Sequence, residues 1–300
     1  MGVKKGYVFL IIIAAILWSL DGLLRRSLYL IPPITVVFLE HIFRLLILLP
    51  FARRFLPEYK KLTRRDWLII IAIGVVSGAI ATTMYTAALA QVNNISYSVV
   101  ALLQQTQPVF VVLLAFFLLK EKITPRYLAF AVIALISAYF LTFPQYKPTF
   151  VHGSGELIAA ILAVGAAFSW GAGTVLSKLI LAKISYVALV IVRFAVVIPV
   201  TLIMMLFSGQ TYPFFAITST QWFNLLIIAF FSGSVGFVIY YKGLQHTEAK
   251  VATFAEFAWP LSAALIGYFF LHEHLSLVQI LAGAILLLDI LTLSLTAKEQ

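Results

Sequence analysis

The protein has 300 residues, of which 63% are hydrophobic and 11% charged, with a mean hydropathy of +1.06 and a formal net charge of +10. Soluble domains are about half apolar and about a quarter charged, so this composition excludes an ordinary soluble protein and predicts a chain that lives in lipid. The absence of cysteine excludes a disulfide framework, a cysteine metal site and a thiol nucleophile.

Ten apolar stretches follow one another along the chain, each about as long as a helix that crosses the core of a bilayer. The segments between them are short and leave no room for a soluble domain. The sequence therefore predicts an all-α polytopic membrane protein with ten transmembrane helices. We expect them near residues 7–24, 33–52, 67–90, 97–119, 125–143, 156–177, 185–207, 220–241, 250–271 and 275–296.

Lysine and arginine are distributed unequally between the segments that join these stretches. If the N-terminus is cytoplasmic, 16 of the 21 basic residues fall on the cytoplasmic side and 3 on the outer side, while Arg44 and Arg193 lie inside spans. Basic residues favour the cytoplasmic side of a membrane. The pattern predicts a protein of the inner (cytoplasmic) cell membrane with both termini cytoplasmic. It also accounts for the positive charge without a nucleic acid as partner.

The second half of the chain repeats the first. Pro108 and Pro260 are separated by 152 residues, and so are Glu121 and Glu273, which we interpret as organisers of helix ends. Because each half contains five predicted spans, an odd number, the second half must enter the membrane from the opposite side. Inverted repeats of this kind are typical of secondary transporters. The predicted units are two five-helix repeats, residues 1–144 and 152–297.

Each proline interrupts an apolar span about one helical turn after a polar residue. A proline cannot donate a hydrogen bond to the carbonyl four residues earlier, which belongs to Gln104 or to Glu256. In lipid such a carbonyl needs another partner or water, so a wet binding face is predicted at the two breaks. Glu256 is an ionisable group inside a span, and its expected role is to bind a substrate amine or to carry a proton. The alternative is a structural ion pair with Arg44 or Arg193.

The predicted substrate cavity is lined by polar and aromatic residues from both halves. In this interpretation the tryptophans stack on a substrate or hold a cation, whereas anchoring at the membrane interface is the alternative. For the glutamines the alternative is hydrogen bonding to neighbouring helices at a packing kink. The candidate cavity residues are Trp18, Gln104, Gln107, Trp170, Glu256 and Trp259.

A second group of ionisable residues lies in the second predicted span. Glu40 and Arg44 are four residues apart and can pair on one helix face, and His41 can titrate near neutral pH. Together with Arg193, which repeats Arg44 after 149 residues, they form a candidate proton or charge network. A satisfied structural network is the alternative. If transport is coupled to protons, the expected carriers are His41 and Glu256.

These features resemble the drug/metabolite transporter superfamily, in its EamA-domain branch. The residues that carry the resemblance are Ile16 to Ser19, Leu118 to Thr124 and Phe269 to Ser276. The resemblance covers nearly the whole chain as two EamA repeats. It implies transport, often export, of small metabolites such as amino acids through a central cavity, with alternating access between the halves. It does not name a substrate.

An enzyme is a weaker interpretation of the same residues. His272 and His274 lack the spacing that places two metal ligands on one helix face, and the sequence has no Gly-x-Ser-x-Gly elbow and no Walker A loop. We expect no catalytic residue, no metal site and no cofactor, and we expect a small-molecule substrate and lipid as partners. Two alternatives stay open: a membrane enzyme or lipid-handling protein that uses Glu40 and His41, and a non-transporting scaffold or sensor.

Overall fold

The computed structural model describes residues 5–95, 97–142, 154–209, 212–270 and 276–296, and within these ranges it contains helices and no strand. The main helices, numbered in chain order, are α1 Lys5–Arg26, α2 Pro33–Ala52, α3 Arg64–Ala90, α4 Tyr97–Gln104, α5 Gln107–Leu114, α6 Pro125–Thr142, α7 Ser154–Leu181, α8 Tyr186–Ser208, α9 Ser219–Gln245, α10 Ala249–Ala255, α11 Ala258–Phe270 and α12 Leu277–Thr296.

Eight stretches of the described chain are long and apolar enough to cross a membrane. They correspond to the first eight predicted spans, although the second continues to Tyr59 and the sixth runs on to Leu181. The ninth predicted span is divided into α10 and α11, and the tenth corresponds to α12. The all-helical membrane architecture is therefore confirmed, while the count of ten spans stays a prediction.

Both proline-containing helices are interrupted where the sequence predicts. Gln105 and Thr106 form a turn between α4 and α5, and Glu256 and Phe257 form a turn between α10 and α11. Short backbone bonds bridge the second break, where the N–H of Trp259 donates to the carbonyl of Glu256 at 2.9 Å. Such i to i+3 bonds replace the bond that the proline cannot make. The two breaks present polar backbone at equivalent places in the two halves.

The two halves interleave instead of packing as separate bodies. Helix α1 packs along α9, α10 and α11, and α7 packs in the same way along α3, α4 and α5. Helices α2 and α8 contact each other, and each also contacts the third helix of the other half. The first helix of each repeat thus lies against the third and fourth spans of the other repeat. Because the helices of the two halves interleave in this way, residues of both halves surround one central space.

Glu121 organises the end of a helix from the opposite half. Its side chain accepts hydrogen bonds from the backbone N–H groups of Ala249, at 2.7 Å, and Lys250, at 3.1 Å, at the start of α10. Burial raises the pKa of this carboxyl, while the two N–H bonds act in the opposite direction. The role inferred from the sequence for Glu121 agrees with this contact. Its repeat counterpart, Glu273, and the neighbouring His272 and His274 lie outside the described residues.

Helices α3 and α9 each widen into a π-helical stretch near the middle of the bundle, Ile73–Ile80 and Ile228–Val235. Each stretch contains a glycine that faces α2 or α8 of the other half, the helices that carry Arg44 and Arg193. A methyl group added at Gly233 would collide with the side chain of Arg44, and one at Gly78 would collide with Val197 of α8. The widened turns and the glycines make room for side chains that cross between the halves.

Replacement of Gly233 by alanine is expected to destabilise the protein by about 1–3 kcal/mol, because the added methyl group displaces Arg44 in a packed interior. The measurement is thermal unfolding of the purified variant in lipid nanodiscs. Gly6→Ala is the matched control, since an added methyl group there meets nothing within 4 Å. Equal unfolding temperatures for the two variants would contradict the close contact.

Candidate functional site

A cavity lies between the two halves at the level of the helix breaks. It contains about 1020 Å³ of space, counting the space at its mouth. The structure places on its wall all six residues that the sequence assigned to a substrate cavity, namely Trp18, Gln104, Gln107, Trp170, Glu256 and Trp259.

Glu256 joins the two breaks across the cavity. Its carboxylate accepts a hydrogen bond from Gln107 Nε2 at 2.8 Å and another from the hydroxyl of Tyr240 at 2.7 Å. The Tyr240 hydroxyl also lies 3.1 Å from Thr174 Oγ1. No arginine of the described chain forms an ion pair with Glu256, so the alternative of a pair with Arg44 or Arg193 does not hold in this structure. Glu256 is therefore an acidic group that faces the cavity and has only neutral hydrogen-bond donors.

Two tryptophans pack at an angle against tyrosines of the opposite half. The ring of Trp18 lies 4.9 Å from that of Tyr240, and the ring of Trp170 lies 5.1 Å from that of Tyr85. Trp18 also donates from Nε1 to the carbonyl of Ser232 at 2.9 Å. Both tryptophans lie on the cavity wall, not at the ends of their helices, so their positions differ from those of interfacial anchors. They offer aromatic surface to a bound solute.

A buried ion-pair network borders the cavity, and three of its members, Asp21, Arg25 and Arg44, form part of the cavity wall. Glu40 accepts a bond from Arg25 Nη2 at 2.7 Å and lies 3.3 Å from Arg44 Nη2. Asp21 forms a two-point contact with Arg25, at 2.8 and 3.1 Å, and accepts a bond from Ser232 Oγ at 2.7 Å. Two carboxylates thus neutralise two guanidinium groups inside the bundle. This arrangement suits an ion-pair network, because buried charges persist only when paired and hydrogen-bonded.

His41 belongs to this network but does not line the cavity. Its Nδ1 lies 2.8 Å from the carbonyl of Val37, and its Nε2 lies 3.2 Å from Arg44 Nη1. These contacts require Nδ1 to donate and Nε2 to accept, which is the arrangement of a neutral ring. A second proton on His41 would therefore point at a guanidinium group.

The structure corrects the position that the sequence predicts for Arg25. The charge count placed it in an outer connecting segment, yet α1 continues through it and its side chain is only 2% exposed. The spacing of Asp21 and Arg25 predicts the local ion pair between them, but the burial of Arg25 could not be predicted from the repeat, because its repeat partner, Ser177, is uncharged. The repeat did offer a signal for Tyr85 and Tyr240, which are 155 residues apart and both lie on the cavity wall.

The fold and the cavity together define a polytopic helical membrane protein that encloses a space lined by polar and aromatic side chains between two intertwined halves. The chain belongs to the EamA-like transporter family, whose profile matches residues 5–143 and again residues 157–295. It is thus a membrane transporter and not an enzyme.

Relatives extend along nearly the whole chain. The riboflavin transporter ImpX of Fusobacterium nucleatum is 32% identical over 287 residues, which cover 95% of this chain and 96% of that protein. An uncharacterized transporter of Clostridium kluyveri is 27% identical, with coverage of 95% and 91%. A solved crystal structure of a protein 16% identical in sequence superposes with a TM-score of 0.76 over 98% of this chain and 97% of that chain, and it supports the fold alone.

Proposed function

We propose that this protein is a secondary transporter for a planar, amphipathic organic solute, with riboflavin as the first candidate. The observation that carries the proposal is the composition of the cavity wall. Trp18, Trp170 and Trp259 line the same cavity as the polar contact between Gln107 and Glu256. A flavin combines a flat heteroaromatic ring, which stacks on such side chains, with polar edges that need hydrogen-bond partners. The name of the 32% identical relative agrees with this chemistry.

The proposed mechanism is alternating access between two inverted repeats. In this scheme residues 1–144 and 152–297 each contribute five spans, both termini are cytoplasmic, and the protein lies in the cytoplasmic membrane. The exchange of helices between the halves supports the scheme, because α1 and α7 make equivalent contacts with the opposite repeat. Export, which the family resemblance implies, is the expected direction of flux.

Proton coupling is assigned to Glu256. Glu256 lines the cavity and receives only neutral donors, so a proton exchanged there meets no fixed positive partner. His41, the other candidate, is held by Val37 and Arg44 in contacts that suit the neutral ring. We therefore expect flux to respond to an imposed pH gradient in wild-type vesicles and to lose that response in Glu256→Gln.

An amino-acid-like solute is the second candidate, because the cavity wall holds a carboxylate, Glu256, and an arginine, Arg193. These groups match the ammonium and carboxylate ends of such a solute. Uptake and efflux of labelled riboflavin and of labelled amino acids by the same proteoliposomes test the two candidates against each other. Flux of riboflavin alone supports the first proposal. Flux of amino acids alone overturns it in favour of the second.

Trp18→Ala is expected to weaken riboflavin binding about tenfold or more, because it removes one face of the aromatic wall. Quenching of flavin fluorescence by the protein in nanodiscs measures the dissociation constant. Trp67→Ala is the control, since Trp67 packs against Tyr59 and does not line the cavity. If both variants bind riboflavin as the wild type does, Trp18 does not contact the cargo.

A further inference from the structure

The two repeat-related arginines, Arg44 and Arg193, have different electrostatic partners. Arg44 lies 3.3 Å from Glu40, within the network that also contains Asp21 and Arg25. Arg193 is just as deeply buried, with 3% exposure. No carboxylate of the described chain forms an ion pair with it. Its charge is therefore uncompensated by any described acidic side chain in direct contact.

The difference originates in the sequence of the second half. The repeat shifts align Glu40 with Leu189 and Asp21 with Gly173. The structure supports the second alignment, because Asp21 contacts Ser232 whereas Gly173 lies against the repeat-related Ser77. The second half thus keeps the arginine and lacks both acids.

The described partners of Arg193 are neutral and lie on the cavity wall. Its Nη1 donates to the hydroxyl of Tyr241 at 2.7 Å, and its Nη2 donates to Ser77 Oγ at 3.0 Å. The guanidinium carbon lies 4.2 Å from the centroid of the Phe237 ring. Its Nε, which is buried, has no hydrogen-bond partner. Nη2 also donates to the carbonyl of Ser77 at 3.2 Å, so the group is held in one orientation, with no acidic side chain of the described residues in contact.

A buried guanidinium without an anion is costly in a membrane protein, and such groups usually face a cavity or a substrate. Arg193 also adjoins the aromatic wall, because Phe237 lies 5.4 Å from Trp18. A planar ring stacked on Trp18 would have its edge near the guanidinium. Guanidinium groups bind oxygen acceptors strongly, through hydrogen bonds assisted by charge.

We propose that Arg193 binds an acceptor oxygen of the cargo, in a subsite completed by Ser77, Tyr241 and Phe237. This inference rests on the proposed transport function and adds to it a residue that determines specificity. The oxygen has two sources, a ring carbonyl of a flavin or the carboxylate of an acidic solute. The subsite accounts for the loss of the acidic partners from the second half, since an acid there would compete with the cargo.

The test compares ligands that differ at one acceptor. Calorimetry in nanodiscs measures the dissociation constants of riboflavin and of its 2-thio and 4-thio analogues, in which sulfur, a weak acceptor, replaces one carbonyl oxygen. For wild type we expect at least one analogue to bind about tenfold more weakly than riboflavin. Arg193→Gln should weaken riboflavin binding about tenfold or more and should no longer distinguish that analogue. Arg193→Lys should give an intermediate ratio, because an ammonium group cannot reproduce the planar donor geometry.

If Arg193 only supports the fold, its replacement should not change how the protein distinguishes one flavin from another. Loss of affinity for all flavins by one common factor, or unchanged riboflavin affinity, overturns the proposal. Arg193→Lys settles the matter if Arg193→Gln does not fold, since an unchanged ratio between flavins in that variant also overturns it. Arg26→Gln is the control, because Arg26 is half-buried and does not line the cavity.

A second ligand pair separates this inference from the flavin proposal. Indole-3-acetate and indole-3-acetamide share one ring and differ in the charge of the acceptor group. If wild type binds no flavin, the flavin proposal fails. The inference about Arg193 then stands if wild type prefers the acetate about tenfold and Arg193→Gln abolishes the preference. If wild type binds no flavin and shows no preference for the acetate, or binds neither of the two indole compounds, the inference about Arg193 is overturned.

Discussion

Replacement of Glu40 by glutamine is expected to destabilise the folded protein by about 3–5 kcal/mol. Glu40 is fully buried and contacts Arg25 at 2.7 Å and Arg44 at 3.3 Å. Glutamine keeps the shape of the side chain and removes its charge, so two guanidinium groups are left with one carboxylate, Asp21, between them. The cost arises because removal of one partner strands charge in a medium of low polarity.

Chemical unfolding of the variant in nanodiscs measures this effect. Glu248→Gln is the matched control, because Glu248 also contacts a cation, Lys250 at 3.0 Å, but its side chain is 43% exposed. Exposed pairs of this kind contribute less than about 1 kcal/mol. If the two variants unfold alike, the buried ion-pair network does not stabilise the bundle.

Replacement of Glu256 by glutamine is expected to lower the rate of cargo transport about tenfold or more. Glu256 accepts bonds from Gln107 and Tyr240, which belong to opposite halves, and hydrogen bonds to an ionised group are worth about 1.5–3 kcal/mol. The amide of a glutamine would place its own N–H group against the N–H of Gln107 or the O–H of Tyr240. It also cannot take up and release a proton. The variant therefore loses the link between the two broken helices as well as the titratable group.

Flux of labelled cargo into proteoliposomes measures the loss, normalised to the amount of folded transporter. Trp259→Ala, which removes an aromatic residue of the same wall, should also reduce flux, whereas Glu248→Gln should not. Unchanged rates in both Glu256→Gln and Trp259→Ala would show that the cavity has been assigned to the wrong residues.

The positions of the cavity residues could be predicted because lipid imposes strict rules on a sequence. Proline and polar residues inside an apolar span must face water or a partner, so Gln107 and Glu256 were informative individually. The repeat then related the two helix breaks beside which these residues lie, and the interleaving of the halves brings the two side chains within 2.8 Å of each other. Hydropathy and internal symmetry suffice for this part of the site.

The partners of those residues could not be predicted. Helical periodicity states which residues share a face but not which helix lies opposite, so it gave no reason to expect Tyr240 as the partner of Glu256. The π-helical stretches of α3 and α9 could not be predicted either, because hydropathy and helical periodicity do not mark a widened turn. Arg25 shows the same limit, since its burial depends on a contact with α2 that is visible only in three dimensions.

Accessibility of introduced cysteines tests the central claim most directly, since the chain contains no cysteine of its own. Gln104 and Thr174 both line the cavity, and the proposed topology places them toward opposite faces of the membrane. A membrane-impermeant thiol reagent is applied to right-side-out and to inside-out vesicles that carry Gln104→Cys or Thr174→Cys. We predict labelling of Gln104→Cys from outside and of Thr174→Cys from inside, with both rates reduced by saturating riboflavin. Labelling of both positions from the same side alone, with no protection by riboflavin or any other solute tested, would contradict a cavity that opens in turn to the two sides.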